Sequence, residues 1–322
     1  MPAVVVPYHE SAKELRGELA HAIPKERLRE LHVVSGWRHA LVVVRQMAIL
    51  AAAVLVILWW GDRWWAWMPA SIVIGLVVFS FLHLLHEVVH RTVFASHASR
   101  WNRMLGICYG IPGGLAPSQF ERWHLDHHEW LGTDDKDPKR ANLTPKVVKR
   151  WFKALYMTPA LFPIYFRAAK KAAAQYPPAL VRRIAWERRV ALAFHLGLAA
   201  VLWITLGPAL ALKLHILPVF VVFPVAFTIN RLGQHYDVDP EDPAAWGTLM
   251  RRSPFFWDVV FLWTNYHLEH HYFPRVPMYR LPALRKELEP FFRERGIRPR
   301  SYGSLLWNWF VRNRVPHTDW TA

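Results

Sequence analysis

Asn265-Tyr266-His267-Leu268-Glu269-His270-His271-Tyr272-Phe273-Pro274 is the stretch that decides how the rest of the 322-residue chain is read. On a helix, residues three and four apart share a face, so His267, His270 and His271 can aim three imidazoles at one point. Tyr272-Phe273-Pro274 then ends the clamp and, in the membrane arrangement read below, leads back towards the bilayer. The spacing recurs at His124, His127 and His128 in Trp123-His124-Leu125-Asp126-His127-His128, and His86 with His90 adds an i,i+4 pair. Eight histidines thus fall into three compact groups. With one cysteine, Cys108, in the whole chain, neither an internal disulfide nor a thiolate cluster is available, so any metal must be held by nitrogen and oxygen.

The segments outside these groups are of two kinds. Leu41–Trp60 and Trp64–Leu85 are almost wholly apolar and long enough to cross a hydrocarbon layer of about 30 Å. Between them lies the short turn Gly61-Asp62-Arg63, with Trp59, Trp60, Trp64, Trp65 and Trp67 gathered there as at a membrane interface. A second apolar pair, 190–206 and 214–229, is separated by Gly207-Pro208 and kinked by Pro218 and Pro224. No secretory signal peptide is apparent in residues 1–36. The expected architecture is all-α: a polar lead-in over 1–37, with short amphipathic helices at Ser11–Ala22 and Pro24–Val34 lying on the membrane, then a membrane-embedded unit over 38–322. That unit has spans at about 41–60, 64–85, 190–206 and 214–229 and a helical cap formed by 86–189 and 230–322. The broken apolar patches Leu105–Pro117 and Trp151–Phe166 are too short to span and read as re-entrant or interfacial.

Charge orients this arrangement. The net charge is +16, and residues 91–189 alone hold 18 Lys/Arg against 7 Asp/Glu, whereas the two inter-helix turns hold only Arg63 and Lys213. The positive-inside rule therefore places both termini and the cap in the cytosol, of a bacterial inner membrane or the endoplasmic reticulum alike. All three histidine groups fall on that side, with His86 and His90 roughly 7 Å beyond the hydrocarbon edge if the second helix continues. Topology and anionic headgroups account for the basic surface. The base-stacking aromatics of a nucleic-acid groove are not seen, and no nucleic-acid partner is expected.

Eight imidazoles exceed what one tetrahedral zinc takes, which implies two metals, and a site of nitrogen ligands suits redox-capable iron. His235, just after the fourth span, is the expected ninth ligand. Asn230 and Asn265 are candidates acting through water, and His83, three residues before His86, is a ligand in reserve. His9, His21, His32, His39, His195, His215 and His317 are read as hydrogen-bonded structural residues, with His97 ambiguous. A competing motif, His86-Glu87-Val88-Val89-His90, matches the zinc-protease pattern in which the glutamate is general base. It leaves six histidines in two identical spacings unexplained. Glu87 is more simply a residue supporting a ligand, or an ion-pair partner of Arg91 or another nearby cation.

Together these motifs resemble the three histidine boxes of the integral-membrane fatty acid desaturase and hydroxylase superfamily: His86 to His90, then Trp123 to His128, then Tyr266 to Pro274. The resemblance runs from about Leu82 to Leu284. The short first box, with Leu131-Gly132-Thr133-Asp134-Asp135-Lys136-Asp137-Pro138 after the second, looks nearer the acyl-lipid and sphingolipid desaturases than the acyl-CoA type, whose first box is typically one residue longer. It implies a non-haem site of two iron ions, O2 as co-substrate, a membrane lipid as substrate, and electrons from a ferredoxin or cytochrome b5 type donor. With no His-Pro-Gly-Gly signature or Cys-rich segment in the chain, that donor is expected to be separate. The product is an alkene if a second hydrogen leaves the neighbouring carbon. The alternative is an alcohol or ketone on a lipid or carotenoid, from a hydroxylase or ketolase. The lipid chain would lie in an apolar tunnel formed by the spans and Leu105–Pro117, with Arg122, Lys136 and Arg275 holding an anionic headgroup or the donor.

Overall fold

In the computed structural model, residues 8–94, 99–133, 135–236, 238, 242–252 and 255–317 are described. His97 lies outside them, as do the first seven residues of the lead-in. Among the described residues the chain is helical, with one isolated β-bridge between Met250 and Arg300.

Among the described residues four helices are long and apolar enough to cross a membrane: Gly36–Trp60, Trp64–Val89, Pro178–Leu206 and the continuous run Pro208–His235. Each is longer than its apolar stretch suggests. The first is capped by Ser35, whose hydroxyl accepts from Arg38 N, and so starts five residues before Leu41. The third opens at Pro178, in the first-turn position where a missing N–H costs nothing. Its charged turns around Arg182, Arg183 and Glu187 read as loop by hydropathy but continue the helix. Gly207, at φ 84°, turns the chain into the fourth span, a conformation that a side chain would strain. The fourth span is not sharply broken at its prolines. Pro218 and Pro224 would each collide with the carbonyl four residues earlier, at Leu214 and Phe220. Those residues lie in two wide π-helical turns, Leu212–Ile216 and Pro218–Val222, whose extra residue per turn absorbs the clash.

The second span is the central one, buried along most of its length, whereas the third is exposed almost throughout. Its outward residues include Leu192, Leu196 and Ile204, an apolar surface that only lipid would cover without penalty. At Gly75 the second and fourth spans approach closely: a Cβ there would lie 2.4 Å from Val222 Cβ and 2.7 Å from Pro218 O. Gln46 Nε2 donates to Ser80 Oγ at 2.9 Å between the first and second spans, satisfying two polar groups inside the bundle. At the turn end Lys213 Nζ donates to Gly61 O at 2.5 Å and lies over the Trp67 ring, beside the exposed Trp59, Trp60, Trp64 and Trp65.

Because the spans alternate in direction, the last turn of the second and the last turn of the fourth finish at the same end. Short helices cover that end, among them Ser99–Gly110, Pro117–Glu129, Leu161–Ala173, His267–Tyr272, Leu281–Glu287 and Glu289–Glu294. Leu105–Pro117 becomes the end of one helix plus a turn at Ile111–Gly114 tucked against the second span, where a Cβ on Gly113 would lie 2.7 Å from Leu82 Cδ1. Trp151–Phe166 straddles the helices Arg150–Leu155 and Leu161–Ala173.

Two expectations change. The amphipathic helices of the lead-in, Lys13–Ala22 and Lys25–Leu31, do not offer their apolar face to a membrane. Leu15, Leu19, Ile23 and Leu31 are buried in the same core as Leu284 and Phe292 of the cap, and Arg27 pairs with Glu287 at 2.8 Å. Beyond Tyr272 the chain does not return towards the bilayer but enters the cap helices, where Tyr272 stacks on Phe292 and its hydroxyl donates to Ala244 O.

Candidate metal centre

The last turn of the second span supplies His86 and His90, helix Pro117–Glu129 supplies His124, His127 and His128, the end of the fourth span supplies His235, and helix His267–Tyr272 supplies the rest. All nine converge, at two points rather than one. His86, His90, His124, His128 and His270 form one group, and His127, His235, His267 and His271 the other, with the ring nitrogens of each group within 4.8 Å of one another. Each His-x-x-His-His box is therefore shared. At about 100° per residue, His267 and His271 differ by some 40° around the helix, whereas His270 and His271 differ by a full step. The i,i+4 pair keeps to one point and the remaining histidine turns to the other. His124 and His128 against His127 repeat the division.

The hydrogen-bond partners of the rings bear on what these groups could hold. His127 Nδ1 lies 3.0 Å from both oxygens of Asp137, and His235 Nδ1 donates to Trp246 O at 2.8 Å. Both acceptors require the proton on Nδ1, so both Nε2 atoms carry lone pairs. Those two Nε2 atoms are 3.0 Å apart, and His267 Nε2 is 2.9 Å from His235 Nε2. Lone pairs facing at this distance repel unless a cation lies between them. In the other group His90 and His124 approach through Nε2 at 2.7 Å, and His86 Nε2 is buried without a hydrogen-bond partner. The donor set thus fits metal ions. Burial drives His127 down to about 4, against the opposing pull of Asp137, and burial likewise holds His124, His128, His267, His270 and His271 well below the usual imidazole range. Neutral imidazole is the form a metal needs.

The carboxylates stand behind the rings. Burial raises Asp137, but His127 beside it and backbone N–H groups hold it below the ordinary range, and it also accepts from Lys139 N at 2.9 Å. Glu87 Oε1 is 3.5 Å from His86 Nδ1, on the far side of the ring from Nε2. Its Oε2 accepts from Thr92 Oγ1 at 2.7 Å and Met278 N at 2.9 Å. Among the described residues Glu87 makes no ion pair with Arg91, whose backbone turns away at φ 57°. Glu269 is fully buried and paired with the equally buried Arg285 at 3.0 Å.

The other sequence candidates fall outside both groups. His83 packs edge-on against Phe79 and lies 3.4 Å from Thr264 Oγ1. Asn230 donates to Thr264 and accepts from Gln234. Asn265 donates to Asp258 at 3.0 Å. Sequence reasoning missed Asp137, Lys139 and the Trp246 carbonyl. Lys139 Nζ is 3.4 Å from His124 Nδ1, and desolvation there, with Arg231 beyond, pulls its ammonium down to about 7.

Among the described residues, a series of neighbouring cavities starts at the histidines. The first, of about 80 Å3, touches His86, His124 and His267 and is walled by Phe79, Leu82 and Phe227. It shares Leu82, Tyr165 and Phe227 with a neck of about 20 Å3. The neck shares Gly113, Phe162, Phe166 and Phe223 with a third cavity of about 320 Å3, between the third and fourth spans. His195, at its wall, bonds Ile111 O at 3.1 Å and stacks on His215.

The family model described as fatty acid desaturase matches residues 62–303. The sphingolipid delta(4)-desaturase/C4-monooxygenase of Homo sapiens is 28% identical over 255 residues, covering 75% of this chain and 71% of that protein. The sphingolipid delta(4)-desaturase of Drosophila melanogaster is 25% identical over 238 residues, covering 72% and 69%, and that of Xenopus tropicalis 27% over 243 residues, covering 70% and 67%. Four apolar spans, two buried histidine groups and this match agree: the chain belongs to the fatty acid desaturase family, as a membrane-embedded, metal-binding oxidoreductase.

Proposed function

We propose that the chain is an O2-dependent lipid desaturase with two irons, introducing a C=C bond into a fatty-acyl or sphingolipid chain. One observation carries this reading: two adjacent groups of neutral histidines, five and four, beside a cavity walled in part by Phe79, Leu82 and Phe227. The relatives' names supply the sphingolipid class. The overall change is R-CH2-CH2-R plus O2, two electrons and two protons, giving R-CH=CH-R and two waters. The electrons come from a ferredoxin or cytochrome b5 type donor, and the basic side facing the cytosol, with Arg122, Lys136 and Arg275, is where it docks.

His86, His90, His124, His128 and His270 hold one iron, and His127, His235, His267 and His271 the other. Bound iron supplies the one-electron and oxygen chemistry that breaking an unactivated C–H bond requires. The protein's part is positioning. Asp137 and the Trp246 carbonyl keep the Nδ1 protons of His127 and His235 in place, so that both rings present Nε2. Glu87 faces the Nδ1 side of His86 in the same sense. Phe79, Leu82 and Phe227 hold the chain against His86 and His267 and exclude water from the reacting carbons. Glu87 is thereby on the wrong side of His86 to serve as general base of a zinc protease. Hydroxylation stands as the second reading, because the human relative is named as both desaturase and C4-monooxygenase.

The test is lipid mass spectrometry of cells expressing the chain, with iron analysis of the purified protein. Loss of two hydrogens from a saturated lipid, and about two irons per chain, is the expected result. Gain of one oxygen selects the hydroxylase, and zinc without lipid oxidation rejects both.

A further inference from the structure

We infer that the chain holds one phospholipid with a primary-amine headgroup in a cleft apart from the histidines, as a structural lipid that braces helix Pro117–Glu129. The cleft, of about 330 Å3, lies between the end of the second span, helix Ser99–Gly110, the start of helix Pro117–Glu129 and the first turns of the third span. It shares no lining residue with the cavities that start at the histidines. Leu85, Val88 and Val89 line it, about a third of a turn round the helix from His86 and His90.

Its level in the bilayer follows from the second span. Counted from Trp64, about 20 residues cross a hydrocarbon layer of about 30 Å and end near Leu84, so Leu85 to Val89 stand in the headgroup layer, about 5–8 Å thick. Trp101 and Met104 on helix Ser99–Gly110 and Trp186 on the third span are each about half exposed around the cleft, as aromatic side chains are at a membrane interface. The inner wall is apolar, with Leu85 and Gly106 buried and Ile107 half-buried, whereas the lining arginines Arg91, Arg103 and Arg183 are exposed.

Charge selects the headgroup. Among the described residues none of the three arginines makes an ion pair, although Glu187 follows Arg183 at i,i+4 on the same helix. Guanidinium groups match phosphate oxygens through paired N–H bonds. Glu121 and Glu187 line the same cleft. Glu187 is buried and accepts from Ser118 N at 2.9 Å and Ser118 Oγ at 2.6 Å, which uses one lone pair on each of its oxygens. Asn102 Oδ1 is buried without a donor. A ligand carrying phosphate alone would face two carboxylates, and one carrying an amine alone would face three guanidinium groups. Phosphate and amine in one headgroup suit both. The amine must also carry N–H to reach Asn102 Oδ1, and an ammonium has three where quaternary choline has none. Phosphoethanolamine meets each condition, with Leu85 and Ile107 at the hydrocarbon edge where its acyl chains begin. The surface of an acidic protein fits poorly, because its carboxylates would meet Glu121 and Glu187. Bound there, the lipid ties Arg91 beyond the second span, Arg103 and Arg183 to the helix that carries His124, His127 and His128.

Native mass spectrometry of the metal-loaded full chain, released from nanodiscs of equal parts phosphatidylethanolamine, phosphatidylcholine and phosphatidylglycerol, reads the site without any turnover. One phosphatidylethanolamine per chain should be retained, at least about tenfold over either competitor. Added back to delipidated protein, it should raise the thermal midpoint where phosphatidylcholine does not. Glu121→Gln and Asn102→Leu should each bring phosphatidylethanolamine down towards phosphatidylcholine, whose own retention stays the same. Arg103→Gln combined with Arg183→Gln should lower all three lipids. Metal content reports folding separately, and the competition on the unmodified chain stands even if a variant fails to fold. Equal retention of the three lipids, preference for phosphatidylglycerol, or selectivity unchanged in both Glu121→Gln and Asn102→Leu overturns the site. Retention with no rise in midpoint overturns the brace. An equal rise from inorganic phosphate or glycerophosphoethanolamine makes the ligand a soluble one and overturns the assignment to a lipid.

Discussion

Asp137 shows how much a single side chain outside the histidine boxes decides. Its carboxylate fixes the His127 tautomer, and removing such a partner weakens a metal site by about 10–100-fold. Asp137→Ala should therefore lower iron occupancy and turnover by that order while the other histidines stay in place. Wild-type iron content at limiting iron would reject the role. Arg285 makes a different contribution. Its ion pair with Glu269 is buried on both sides, and removing one partner of such a pair costs about 3–5 kcal/mol because the other charge is stranded. Arg285→Met should lower the thermal midpoint in detergent and, since Glu269 sits between His267 and His270, the iron content too. The proposed ligand histidines were legible because three boxes at helical spacing are a periodic signal. Asp137 was not: it lies ten residues from the ring it holds, in a stretch of sequence that also contains Asp134 and Asp135, and spacing cannot tell the three apart.

At the level of helices, the centre depends on the second and fourth spans keeping their register, because His86 and His90 end one and His235 ends the other. Gly75 permits that contact. Gly75→Ala should cost about 1–3 kcal/mol through overpacking against Val222 and the Pro218 carbonyl. It should also disturb both groups, because His86 and His90 of the first ride on the second span and His235 of the second rides on the fourth. Thermal unfolding and iron stoichiometry report both effects, and an unchanged midpoint would show that the spans have slack. Hydropathy located all four spans but placed their ends short, since the charged turns at Arg182–Arg189 and the capped first turn at Ser35 are helical without being apolar. The division of each histidine box between two points was implicit in the 3.6-residue period, yet the spacing alone is compatible with a single clamp. Only the positions of the partner helices select two.

For the molecule as a whole, the lead-in is part of the folded body. Tyr8, Leu15, Leu19, Ile23 and Leu31 share a core with Leu284, Leu288 and Phe292, so deleting residues 8–34 should lower the thermal midpoint and reduce iron retention even though no ligand is lost. A truncated chain as stable as the full one would show that the contact is incidental. The sequence showed the amphipathic pattern of these helices but not its recipient, because a stripe of leucines fits a cap and a headgroup layer equally well. The facing Nε2 lone pairs carry a consequence for the life of the protein in the cell. Folding alone brings like-oriented dipoles together at 3.0 Å, and binding free energy from a cation is then part of what keeps the four-helix body closed. Newly made chains in an iron-starved cell should open more often at the end of the fourth span, where His235 meets His127, and be cleared by quality-control proteases. Abundance would then follow iron supply with no transcriptional signal, which a pulse-chase under chelation would read as a shortened half-life.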